Sequence, residues 1–331
     1  MPVDHLTDRH LTDRRLANWR PAASRLAIEG RAQLLADIRQ YFAARNVLEV
    51  ETPILSCAGN TDPKITGMRT DSLPPRYLRT SPEFPMKRLL AAGLTDIYEM
   101  GRVFRAGECG AWHNPEFTLL EWYRAGWNYL QLADEVVDLV KHCIGTRCDN
   151  WDVRRITYRE LFLQSTGLDP WLAEEADWEH MAREQGIHAG SLDLQQWQDL
   201  MLTHVIQPGM ATDSITVVYD YPAAQAALAR IRPGADAVAE RFEVYLGPAE
   251  LANGYQELGD ATEQLHRFES DTRLRRLRGE DTAPIDSRLI EALQHGLPEC
   301  SGVALGVDRL LMRVLELDHI EAVLTFPQDR A

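Results

Sequence analysis

The sequence predicts an α+β fold: a mixed, mainly antiparallel sheet flanked by helices. Three observations carry that expectation. Long loops separate the strand-like runs of the first half, and a further group of strands falls late in the chain. Strict strand–helix alternation is absent, which argues against a doubly wound parallel sheet.

The 331 residues suffice for one large domain or two small ones, and 45% hydrophobic content supports a sizeable core. We expect a tail over 1–24 and one catalytic unit over 25–331. In the tail, His5-Leu6-Thr7-Asp8-Arg9 is repeated at once as His10-Leu11-Thr12-Asp13-Arg14. From Ser24 the spacing of Leu34, Ile38, Tyr41 and Phe42 predicts a helix, followed by a strand over 47–53 closed by Pro53. A Gly-, Pro- and Asp-rich loop covers 56–75. Strands are expected at 77–80, 97–105 and 116–123, with a helix over 82–90 between the first two. Residues 130–207 read as mostly helical, with Trp151, Trp171, Trp178 and Trp197 as packing anchors. Strands return at 215–221, 242–246 and 249–257, helices at 261–278 and 286–295. The chain ends on a strand at 301–305 and a helix from Asp308.

The formal net charge is −15. Proteins that grip long nucleic acids usually carry a basic face, because phosphate neutralisation supplies most of the affinity, so a large or stable tRNA footprint is not expected. The N-terminal twenty residues are polar, and no apolar run reaches the ~20 residues of a membrane span. Cys57, Cys109, Cys143, Cys148 and Cys300 form no Cys-x-x-Cys pair. Reduced thiols and a cytoplasmic location are the expectation.

Three clusters carry chemistry. Two strands joined by a loop containing Gly107, Gly110, His113 and Pro115 form a long hairpin. Alternation puts Glu99, Gly101, Val103 and Arg105 on one face of its first strand, and Phe117, Leu119, Glu121 and Tyr123 on one face of its second. An arginine, an aromatic ring and a carboxylate then line one groove; the alternative is a surface hairpin with ordinary ion pairs. In the second cluster, Glu243, Glu250 and Glu257 lie within a further hairpin, where carboxylates suit a hard divalent cation or a cationic substrate. Strict alternation separates Glu250 from Asn253 and Glu257, and a bulge at Gly254 would reunite them. In the third, Gly302 and Gly306 allow close backbone approach, and Arg309 falls in the first turn of a helix, a site favourable to phosphate.

In order along the chain, these segments resemble the three motifs of class II aminoacyl-tRNA synthetases, and most closely the lysine branch. The run Glu49-Val50-Glu51-Thr52-Pro53 resembles the first motif. Phe104-Arg105 with His113-Asn114-Pro115-Glu116-Phe117 resembles the second, and Gly302 to Arg309 the third. The segments Arg79-Thr80-Ser81-Pro82-Glu83 and Glu250 to Glu257 resemble lysine-branch pocket segments. Lysyl-tRNA synthetases place an anticodon-binding domain before this core, and only about 25 residues precede it here. As a whole the chain is similar to the stand-alone elongation factor P–(R)-β-lysine ligases. Ala304, where the synthetases usually have glycine, and Ser81, where they often have alanine, favour that branch.

This resemblance implies a soluble homodimer that uses ATP and Mg²⁺ to activate (R)-β-lysine and passes it to a lysine of elongation factor P. It implies that Arg105 binds the α-phosphate and that Phe117 and Arg309 sandwich the adenine. Ala106, Gly107, Glu108, His113, Asn114, Leu251 and Gly306 would complete the nucleotide site, with Glu243 and Glu250 on the metal. Ser81, Pro82, Glu83, Tyr123, Asn253, Glu257 and Ala304 would form the substrate pocket, its carboxylates receiving the two ammonium groups. The family pattern of Arg, any residue, Glu is broken here: Ala106 and Gly107 separate Arg105 from Glu108. The adenine contact is then expected from Glu108 or from backbone. A tRNA- or minihelix-charging enzyme and a non-catalytic metabolite sensor are the rival readings; retention of Arg105, Arg309, Glu243 and Glu250 argues against the sensor.

Overall fold

A computed structural model describes residues 19–331, so the repeated segment at 5–14 lies outside the described residues. The first helix, α1 (Arg25–Ala43), begins at Ser24, whose hydroxyl accepts from the Ala27 amide at 3.1 Å. It buries Leu34, Ile38, Tyr41 and Phe42, the face its spacing predicts. The expected strand after it shrinks to β1 (Leu48–Glu49), which pairs in parallel with β5 (Ile97–Phe104). A small antiparallel sheet of β2 (Leu55–Ser56), β3 (Met68–Arg69) and β4 (Tyr77–Leu78) interrupts the loop region. Helix α2 (Glu83–Ala91) precedes β5.

The large sheet continues through β6 (Glu116–Ala125), β12 (Cys300–Gly306), β11 (Ala249–Gln256), β10 (Val238–Leu246), β8 (Ser214–Pro222) and β7 (Asp152–Thr157), with the short β9 (Ile231–Arg232) also on β10. The pairings from β5 to β8 are antiparallel, and both outer pairings, β1 with β5 and β7 with β8, are parallel. The α+β expectation therefore matches the architecture. One face of the sheet packs on α1, α3 (Tyr129–Ile144) and α9 (Val307–Val314) through a core containing Phe42, Trp122, Leu132, Val136, Leu305 and Leu310.

Within the stretch read as helical, α4 (Tyr158–Thr166), α5 (Glu175–Glu184) and α6 (Leu194–Met201) close over the far end of the sheet. Trp178 and Trp197 are buried there, whereas Trp151 and Trp171 are half-buried. The stretch also contains β7, which sequence reading missed. Of its residues, Asp152-Val153-Arg154-Arg155-Ile156-Thr157, the three charged ones are exposed and only Ile156 is buried, as suits an edge strand guarded by charge. Helices α7 (Ala261–Leu277) and α8 (Ser287–His295) cover the lower side beside α2, with Phe268, Leu289 and Leu293 between them.

A buried polar anchor sits in this core. Glu135 of α3 accepts from the Trp122 indole at 3.0 Å and from Arg124 Nε at 2.9 Å, and all three side chains are buried. Removing one partner of such a buried pair strands the other charge. Glu135→Ala is therefore expected to lower stability by about 3–5 kcal/mol. Urea unfolding would check this, and a loss under about 1 kcal/mol would contradict it.

Candidate active site

The open face of β6, β12, β11 and β10 forms the floor of a cleft of about 710 Å3. Register fixes its plan. Glu121 of β6 lies opposite Ala304 of β12, Ala304 opposite Asn253 of β11, and Asn253 opposite Glu243 of β10. Directly opposed residues share a face, so these four side chains form one row across the floor. At about 4.8 Å per strand, the row spreads Glu121 and Glu243 about 14 Å apart. A second row runs through Tyr123, Gly302, Tyr255 and Arg241.

The expected bulge exists, but at a different residue. Gly254 pairs regularly with Phe242 and Val303; the register shifts instead between Val244 and Tyr245, which face Ala252 and Glu250 and leave Leu251 as the extra residue. Glu250 thereby joins Asn253, Tyr255 and Glu257 on the cleft side. Gly254 is glycine for a packing reason, since a Cβ there would lie 2.5 Å from the Phe242 ring.

One end of the cleft is cationic and aromatic. Arg105, just past β5, lies with its guanidinium 5.0 Å from the Phe117 ring centroid and 3.7 Å from Glu108. Arg309, in the first turn of α9, donates to the Glu250 carbonyl at 2.7 Å and to His113 Nε2 at 2.7 Å. Burial, reinforced by Arg309, holds the His113 imidazole below its ordinary pKa. The turn carrying Arg309 is pinned by buried Asp308, which accepts from the Thr118 amide at 2.6 Å and pairs with Arg31. Asn114 and Gly306 also line this end, whereas Ala106 and Gly107 do not; the Ala106 amide is spent on the Thr66 carbonyl at 2.8 Å.

Glu243 and Glu250 face the cleft from adjacent strands. Desolvation and then the Glu243 charge push the Glu250 carboxyl above its ordinary range. Glu243 is engaged by Arg241 and the Tyr245 hydroxyl. Two carboxylates on adjacent strands are a donor set of the kind that suits a hard divalent cation.

The other end is acidic. Glu83 of α2, Glu121 of β6 and Glu257 after β11 converge there with Tyr123, whose hydroxyl donates to Glu121 at 2.7 Å. Desolvation drives the Glu121 carboxyl well above the usual carboxylate range and raises that of Glu257 to about 7. Gly302 makes this end possible: a Cβ would lie 2.3 Å from the Tyr123 ring and 2.4 Å from Glu257 Oε1. Ser81 lines the cleft, and Pro82 caps α2 outside it. Ala304, midway along the first row, presents its methyl to the floor between Glu121 and Asn253.

Sequence reasoning passed over three residues here. Glu121 was on the predicted groove face without being assigned to the pocket. Arg241 lies two residues before Glu243, on the same strand face. Lys87 lies one helical turn after Glu83, and its Nζ sits 2.7 Å from Glu83 and 2.6 Å from Glu257. The spacing of Glu83 and Lys87 was the available signal for the last.

An antiparallel sheet with a two-arginine nucleotide-like end and an acidic end defines the catalytic core of the class II synthetase type. The model of class II tRNA synthetases of the aspartate, lysine and asparagine type matches residues 7–330, and the chain belongs to that family. It is 44% identical over 326 residues to the elongation factor P–(R)-β-lysine ligase of Yersinia enterocolitica, covering 95% of this chain and 99% of the relative. The protein of the same name from Vibrio cholerae is 45% identical over 325 residues with the same coverage, and that of Yersinia pestis 43% over 322.

The Arg309 contact is testable by titration. Arg309→Leu is expected to raise the His113 pKa toward its ordinary value, followed by NMR of the imidazole; an unchanged titration would contradict the coupling.

Proposed function

We propose that this protein activates (R)-β-lysine with ATP and transfers it to a lysine side chain of elongation factor P. The observation that carries the reading is the polarity of one continuous cleft, with Arg105 and Arg309 at one end and Glu83, Glu121 and Glu257 at the other. Phosphates and a carboxylate suit the first end, and a substrate with two ammonium groups suits the second. The names of the relatives, nearly full-length matches, supply the acceptor.

In the first step a carboxylate oxygen of the amino acid attacks the α-phosphorus of ATP, forming a mixed anhydride as the bond to pyrophosphate breaks. Arg105 binds the α-phosphate and stabilises charge in the transition state. Phe117 and Arg309 stack on the adenine from opposite sides, with Arg309 reaching the γ-phosphate. His113, Asn114, Glu108, Leu251 and Gly306 complete the nucleotide site. Glu243 and Glu250 would hold Mg²⁺, which would neutralise phosphate charge when bound. In the second step the acceptor lysine amine attacks the anhydride carbonyl; an amide forms, AMP leaves, and the amine gives up its proton.

Glu83, Glu121, Tyr123, Asn253 and Glu257 receive the amino acid. Ser81 and Ala304 select its β form, the Ala304 methyl crowding the position of an α-amino group. The working unit is residues 25–331, in the cytoplasm. No helix among the described residues is long and apolar enough to cross a membrane. Exposed Leu48, Ile54 and Leu55, flanking the first-motif segment, support a homodimer.

Mass spectrometry of purified elongation factor P after incubation with enzyme, ATP and (R)-β-lysine is expected to show one added β-lysyl group on a lysine. An unmodified factor together with a charged tRNA would overturn the assignment. Ala304→Gly is expected to shift preference toward α-lysine by about tenfold, as one methyl in a packed site is worth about 1–3 kcal/mol; an unchanged ratio would contradict the steric argument.

A further inference from the structure

The acidic end contains an internal cation that the activation chemistry does not use. Lys87 is 1% exposed, and its Nζ lies between Glu83 at 2.7 Å and Glu257 at 2.6 Å. Burial opposes its charge, but the two carboxylates outweigh burial and keep it protonated. A lysine so enclosed cannot reach solvent or a substrate carboxylate.

The surrounding groups can be counted from every packed element. Helix α2 contributes Glu83 and Lys87, and β6 contributes Glu121 and the neutral Tyr123. The β11 segment contributes Tyr255 and Glu257, and β12 contributes the Cys300 thiol, which burial and Glu257 keep protonated. Glu99, opposite Glu121 on β5, is already neutralised by Arg79 and by Thr52, which donates at 2.7 Å. Arg79 crosses Gly101 to do so, where a Cβ would lie 2.4 Å from its Nη2. Arg241, in the row with Tyr123 and Tyr255, is taken up by Glu243. Three carboxylates and one ammonium remain, a net of two negative charges when all three carboxylates are ionised.

Resting on the reading of this end as the amino-acid pocket, we infer that Lys87 is a specificity-determining positioning residue. Its fixed ammonium cancels one of three carboxylates, of which Glu121 and Glu257 are buried and Glu83 half-buried, so the ionised pocket is charge-matched to a substrate with two ammonium groups. It also holds Glu83 of α2 and Glu257 of β11 at one spacing, so the helix and the sheet present a rigid wall. A free amino acid with a single ammonium leaves one buried negative charge uncompensated, which costs binding.

The same count ties binding to protons. Glu257, raised to about 7, and Glu121, which desolvation also holds above the usual carboxylate range, retain protons at lower pH and must shed them to pair with ammonium groups. Affinity for the diammonium substrate therefore grows as pH rises through about 7 and is lost as pH falls. Without Lys87 the carboxyls would retain protons to still higher pH.

Lys87→Met tests this by pyrophosphate exchange. The KM for (R)-β-lysine is expected to rise about tenfold at pH 7, the KM for ATP to stay unchanged, and the pH dependence of the amino-acid KM to move up by about one unit. An unchanged amino-acid KM and pH profile in the folded variant would overturn the inference. A second measurement needs no variant. Calorimetry of the wild-type protein in buffers of different ionisation heat is expected to count about one proton released per (R)-β-lysine bound at pH 7, and fewer for 6-aminohexanoate, which has one ammonium group. Equal release for the two ligands, or none, would overturn it. Absence of exchange with any amino acid in the wild-type protein would instead sink the adenylation reading, while the calorimetric count, read from binding alone, would still decide for Lys87.

Discussion

Everything in the cleft depends on the register of four adjacent strands. The row Glu121, Ala304, Asn253, Glu243 exists because β6, β12, β11 and β10 pair antiparallel without a slip at those positions. A one-residue slip would turn a strand's contribution to the opposite face. The one irregularity in the pairings among these four strands, at Leu251, has the reverse effect and turns Glu250 inward. The core beneath the sheet, with Trp122 and Phe42 at its centre, keeps this register fixed from the opposite face.

That geometry lets opposite chemistries share one cavity. Arginines at the nucleotide-like end and carboxylates at the acidic end would neutralise one another if they met, and the length of β6 and β12, from Phe117 and Gly306 to Tyr123 and Gly302, keeps them apart. Each end is instead compensated locally. Asp308 and His113 orient the Arg309 turn, and Lys87 and Tyr123 pair the carboxylates. A substrate with a carboxylate and two ammonium groups can bridge the ends in one orientation only.

Much of this was legible in the sequence, and what was not has identifiable causes. The helix spacing of Leu34, Ile38, Tyr41 and Phe42 is a local signal that burial confirmed, and the shared face of Phe117, Leu119, Glu121 and Tyr123 is one that the cleft lining confirmed, since β6 is buried on both sides. The short edge strand β7 was missed because a strand that buries little has little hydrophobic period to read. The bulge was anticipated from the parity of the carboxylates, but glycine was a misleading guide to its place: Gly254 answers to the Phe242 ring, while Leu251 takes the irregular backbone. Lys87 escaped notice because its partner Glu257 is 170 residues away in sequence, and only folding joins them.

Acceptor and nucleotide chemistry both presuppose that the cleft selects a diammonium amino acid before anything else occurs. Amino-acid-dependent exchange of pyrophosphate into ATP, run without any acceptor on a panel of free amino acids, measures that selection directly. Strongest exchange with (R)-β-lysine, weaker exchange with α-lysine and none with norleucine is the expected order; exchange with norleucine equal to that with (R)-β-lysine would contradict it.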